Sequence, residues 1–131
     1  MLDTNIVLDT FLFADEAARP VLEGLASGRL RWLATPAMRI ELERVLTYPK
    51  IVTRLAFREL AAADVLADFD RHAEVVETPP KAPLTCGDAD DQKFIDLAVA
   101  RGALLLSKDR EVLALRKRLA KMDVQARPTL G

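Results

Sequence analysis

The chain has 131 residues, half of them hydrophobic and 30% charged, and its formal net charge is -1. That length makes one domain, 1–131, with an ordinary core, and the near-even balance excludes a protein held to nucleic acid by a global basic field. A single cysteine, Cys86, and a single histidine, His72, exclude an internal disulfide and a Cys/His zinc site, so any metal must be held by oxygen.

In chain order, "MLDTN" opens without a basic leader, and Asp3 directly follows two apolar, strand-like residues. "LRWLA" (30–34) reads as a strand, with Trp32 in core packing. Thr35 and Pro36 then supply an N-cap and a first helical residue for "TPAMRIELERVL". "FRELAAADVLADFDRH" (57–72) carries the 3.6-residue period of one helix, with His72 as a charge partner at its C-terminal end. "AEVVE" (73–77) is a weaker strand, and the triple-proline stretch 77–87 is a loop with a structural Cys86. "DDQKFIDLAVARG" forms a helix from about residue 90, capped by Asp90 and ended by Gly102. "ALLLS" (103–107) is a second leucine-rich strand as clear as "LRWLA", "REVLALRKRL" a helix that Asp109 could cap, and "DVQA" (123–126) a last weak strand. Strands alternating with helices predict an α/β protein of three layers, a central parallel sheet of about four to five strands with helices on both faces. No apolar run approaches the ~18 residues of a membrane span, and the lone thiol fits a reducing, cytoplasmic setting.

In such sheets ligands gather beyond the carboxyl ends of the strands. Asp3 and Asp109 both follow strand-like residues and meet at that edge if their strands are neighbours. Asp91, Phe94, Ile95 and Ala98 share a helix face, which places Asp91 on the apolar side, a costly position for a charge without a partner or a metal. Asp96 points the other way, to solvent. Glu41 borders the stripe Met38, Leu42, Val45 and Leu46. Asp88 serves the site or a turn. Four acids from separate parts of the chain would repel one another unless a hard cation, Mg²⁺ or Mn²⁺, neutralised them. Thr4, Asn5 and Ser107 could hydrogen-bond a ligand acid or a phosphate oxygen. Lys108, Arg110 and Arg39 could meet phosphates, although the run "KDREVLALRKRLAK" (108–121) reads first as a solvated helix face.

"LDTNIVLDTFL" with Asp3, "RIELERVL" with Glu41, and "DADDQKFIDLAVARGALLLSKDREVL" with Asp91 and Asp109 resemble the signatures of PIN-domain nucleases. Within that family the chain is similar to small bacterial, VapC-like proteins assigned as toxins of toxin–antitoxin pairs. The resemblance implies a metal-dependent endoribonuclease in which Asp3, Glu41, Asp91 and Asp109 bind Mg²⁺ or Mn²⁺, with Asp88 and Asp90 as auxiliaries. Thr4, Asn5 and Ser107 match polar positions of the pocket. It also implies RNA as substrate, a homodimer and a small antitoxin partner. The chain departs from the family in one respect: only Met1 and Leu2 precede Asp3. An incomplete first strand, weakly bonded at Leu2, is therefore expected, or a natural start further upstream.

Two other acidic-pocket classes fit poorly. A phosphoacceptor receiver needs an Asp closing its third strand, where "AEVVE" runs into "TPP". A haloacid-dehalogenase-type phosphatase needs a second Asp that "DTNIV" lacks. The stronger rival is a catalytically silent PIN-like module that binds RNA or an antitoxin.

Overall fold

Asp3 turns the chain from extended backbone into helix at its third residue. Its carboxylate accepts the Ile6 N–H at 2.9 Å, so α1 (Thr4–Phe11) starts with a capped first turn. This computed structural model describes residues 1–130. A 3₁₀ turn (Glu16–Ala18) and α2 (Arg19–Ala26) lead to β1 (Trp32–Ala34) and α3 (Pro36–Val45). The Thr35 residue caps α3 by position only. Its hydroxyl is buried without a partner, while its N–H faces the Met38 sulfur at 3.4 Å.

Beyond α3 lie α4 (Pro49–Phe57), α5 (Ala62–His72) and β2 (Ala73–Val75). The single helix expected over 57–72 is not found. Glu59 takes a left-handed φ of 55°, the Leu60 N–H returns to the Leu55 carbonyl, and a new helix starts when Asp64 accepts the Ala61 N–H. A second 3₁₀ turn (Ala89–Asp91) precedes α6 (Gln92–Arg101), which ends at Gly102 with φ 59°. That positive φ is the position a glycine occupies without strain. Then come β3 (Leu105–Leu106), α7 (Arg110–Leu113), α8 (Arg116–Ala120) and β4 (Ala126–Arg127). The expected helix "REVLALRKRL" thus breaks in two, and the last strand begins three residues later than the pattern indicates.

Every strand pairing is parallel, as an α/β protein requires, but the expected sheet of four to five strands is replaced by two short pairs. β1 pairs with β2 (Trp32 opposite Ala73), and β3 with β4 (Leu105 opposite Ala126). Leu2 joins β3 through one bridge to Leu106. The Leu106 N–H donates to the Met1 carbonyl at 2.9 Å, and the Asp3 N–H to the Leu106 carbonyl at 3.1 Å. Leu2 thus makes a single ladder step onto β3.

Trp32 is 2% exposed and does pack in the core. It stacks on Phe11 at 5.9 Å and meets Phe69 edge-on at 4.9 Å, which fastens α1 and α5 to β1. His72, at the end of α5, stacks on the other side of this cluster, 5.7 Å from Phe11. These rings add their buried area to a core that is otherwise mostly aliphatic. Among the described residues no helix is long and apolar enough to cross a membrane.

Candidate active site

Asp3, Glu41, Asp88, Asp90, Asp91 and Asp109 all line one cleft of about 690 Å³, together with Thr4 and Asn5. Each arrives by a different local device. Asp3 caps α1, Glu41 comes from the middle of α3, Asp88 caps the second 3₁₀ turn and Asp91 ends it, and Asp109 caps α7 just after β3. Asp109 accepts the Glu111 N–H at 2.8 Å, so it is a helix cap and a cleft residue at once; the two readings do not compete.

One hydroxyl ties the two ends of the chain. Ser107, wholly buried, donates to Asp3 Oδ2 at 2.5 Å and accepts the Asp109 N–H at 3.1 Å. Asp3 is 2% exposed. Burial raises its pKa above the ordinary carboxylate value, against the bonds from Ser107 and Ile6 that favour its charge.

Asp88, Asp91 and Asp109 form the tightest set, offering one oxygen each within 4.8 Å of one another. Asp91 has its pKa pushed up to about 7, by burial first, then by the Asp109 charge, a hydrogen bond to Asp109, and the charges of Asp88 and Asp3. Its Oδ2 is buried with no hydrogen-bond partner. An orphaned carboxylate oxygen beside two other acids is what a hard divalent cation would satisfy. The residues therefore fit a metal.

Glu41 is buried, but its oxygens are taken. Oε2 accepts the Thr4 hydroxyl and Oε1 the Lys93 ammonium, the latter at 2.8 Å. Asp90 does not cap the helix from residue 90. Asp88 caps the 3₁₀ turn by accepting the Asp90 N–H at 2.9 Å, Asp91 immediately precedes α6, and the Asp90 side chain is exposed. Asp96 is not a solvent residue either. It accepts the Ala82 N–H and a Gln92 amide hydrogen, each at 2.8 Å, and so fastens the proline loop to α6. Cys86 lies buried in that loop with its N–H on Gln92 Oε1 at 2.6 Å, a structural place.

The three basic residues expected near the cleft are not among those lining it. Arg39 pairs with Asp70 and Glu43, each at 2.7 Å. Lys108 pairs with Asp9, which raises its pKa. Arg110 is exposed on the first turn of α7. The cations that do line the cleft, Arg44 and Lys50, and the aromatic Tyr48 beside them, escaped the sequence reading, as did Lys93. Only the Tyr48-Pro49 step, a helix start four residues past the end of α3, could have pointed to this rim.

Fold and cleft together define an α/β domain whose acids, drawn from four stretches of the chain, form an oxygen-donor site where α1 and α7 leave their strand residues. A PIN domain family model matches residues 1–111, a span that contains all of these acids, and the chain belongs to the PIN domain family. PIN domains are generally nucleases and use divalent metals. Comparison with curated proteins and with solved structures returns no significant match.

Proposed function

We propose that this PIN domain is a Mg²⁺- or Mn²⁺-dependent endoribonuclease. The observation that carries the reading is the Asp88–Asp91–Asp109 set with its orphaned oxygen, next to an Asp3 held in place by Ser107. Asp88, Asp91 and Asp109 would hold the ion. Bound there, it supplies an activated water and charge stabilisation for hydrolysis of a phosphodiester. Asp3, fixed on both oxygens by the Ile6 N–H and the Ser107 hydroxyl, is an oriented carboxyl group lining the cleft. Asp91, whose pKa is pushed up to about 7, would release its proton to solvent when it holds an ion. At the rim, Arg44 and Lys50 are placed to meet backbone phosphates and Tyr48 to stack on an unpaired base, with Leu8, Val45 and Ile51 as the apolar wall.

The same proposal extends to a VapC-like toxin in the cytoplasm, acting as a homodimer and restrained by a small antitoxin. Its support is the resemblance of the acidic motifs, together with apolar side chains left at the surface, Phe57 at 78% and Ile40 at 65% exposed. The test is cleavage of mixed single-stranded RNA with Mn²⁺, Mg²⁺ or EDTA, beside Asp91→Asn. Metal-dependent cleavage that the variant loses is expected. A variant that keeps a near wild-type rate would overturn the site, and metal-saturated wild-type protein that binds RNA without cutting it would favour the silent binding module.

A further inference from the structure

Among the acids of the cleft, Glu41 has its charge already answered by the protein. The Lys93 ammonium sits 2.8 Å from Glu41 Oε1, also donates to the Asp90 carbonyl, and lies 5.2 Å from the centroid of the Phe94 ring. Its side chain is 24% exposed, and that of Glu41 10%. This is a half-sunk pair with converging partners, unlike a surface contact that solvent exchanges freely. Lys93 rides on the first turn of α6, two residues past Asp91, and it reaches across to α3 for Glu41. By contrast, no Lys or Arg pairs with Asp88, Asp91 or Asp109 among the described residues.

We infer that Lys93 is a tethered cation standing where a second divalent ion would otherwise be required. The site then takes a single metal ion at Asp88, Asp91 and Asp109, and Glu41 is the counter-ion of Lys93, not a metal ligand. The inference rests on the metal-binding part of the proposed function. Its physical basis is charge. Two dications in one cleft bring four positive charges, while Asp88, Asp91 and Asp109 supply three carboxylates and Asp3 is already held on both oxygens by Ser107 and Ile6. Glu41 is spent on an ammonium that has three donors, a compact charge and a covalent tether, with the Arg44 guanidinium 4.0 Å from the same oxygen. Lys93 is thus a positioning residue: it sets how many ions the cleft accepts and keeps α3 joined to α6 across it.

The experiment is a Mn²⁺ titration followed by calorimetry and by the electron paramagnetic resonance of free Mn²⁺, which counts bound ions without reference to cleavage. Wild-type protein is expected to bind one ion and Lys93→Met two, because Glu41 is released as a ligand. The charge-neutral double variant Lys93→Met/Glu41→Gln should return to one ion with affinity within about threefold of wild type, whereas loss of a true ligand, Asp88→Asn, should weaken binding by more than about tenfold. Two ions on wild-type protein, or one on a folded Lys93→Met, would overturn the inference and leave the nuclease reading standing. A tenfold loss in the double variant would also overturn it, by making Glu41 a ligand, and this arm decides the matter if Lys93→Met alone does not fold. Wild-type protein that binds no ion would overturn both readings together.

Discussion

Replacing Asp91 with Asn should make the metal-free protein more stable, and the gain should grow with pH. The Asp91 carboxyl titrates at about 7 in the folded chain against an ordinary 3.8, because it is buried and faces Asp109, Asp88 and Asp3. Between those two values the folded state keeps a proton that the unfolded chain has released. Wild-type stability therefore falls as pH rises through that window and levels off above it. Taken at full value, the interval corresponds to ~4 kcal/mol at about 1.36 kcal/mol per pKa unit. Solvent reaches this half-buried group and screens its neighbours, so about half of that, ~2 kcal/mol, is the expected difference. The variant has no such slope, and its amide can still donate to Asp109. Urea denaturation of both proteins in EDTA measures it: near-equal stability at about pH 4, and a variant ahead by ~2 kcal/mol at about pH 8. Excess Mn²⁺ should then reverse the order, since an ion at about a hundred times its dissociation constant adds ~2.7 kcal/mol to the protein that binds it. Parallel pH profiles for the two proteins would refute the reasoning.

Ser107→Ala removes a buried hydroxyl that serves both Asp3 and the Asp109 N–H. It should cost ~2–3 kcal/mol in chemical denaturation, since a bond to a charged acceptor is lost and a buried oxygen orphaned. Lys108→Ala leaves Asp9, 8% exposed, without its cation; the thermal midpoint should drop, corresponding to about 1–2 kcal/mol, while RNA affinity and its salt dependence stay unchanged. Tyr48→Ala combined with Lys50→Gln should weaken binding of a single-stranded oligonucleotide about tenfold and flatten its salt slope by about one, read by fluorescence anisotropy without changing the fold.

Much of the cleft was legible because its acids follow simple local signals. Asp3 and Asp109 stand directly after apolar extended residues, Asp91 interrupts an apolar helical face, and Glu41 flanks one. The misses have physical causes of equal simplicity. Lys108 neighbours Asp109 in sequence, yet along extended backbone successive side chains leave on opposite sides, and it goes to Asp9 on the far side. Asp96 lies on the polar side of α6, but the proline loop folds back over that side and offers it the Ala82 N–H. Lys93 read as one more surface cation, since nothing local shows that Glu41, 52 residues away, will stand opposite it. The helix α1 hid behind Ile6 and Val7, β-branched residues that suit a strand, and its start is set by the Asp3 cap instead. The single broad sheet was over-read: the four apolar stretches pair in parallel two by two, and each backbone ladder is only two or three residues long.

The Ser107 hydroxyl spans 104 residues of sequence to reach Asp3, and that span has a consequence for the order in which the molecule is made. A chain emerging from its amino end offers Asp3 and Glu41 early, when neither Ser107 nor Asp109 exists to complete the cleft. A piece that stops short of residue 105 therefore lacks both the strand that Leu2 leans on and a member of the acid set. Whatever chemistry the cleft performs waits on the arrival of one short stretch, residues 105–109, which brings the Leu2 partner strand, the Ser107 hydroxyl and the last acid together.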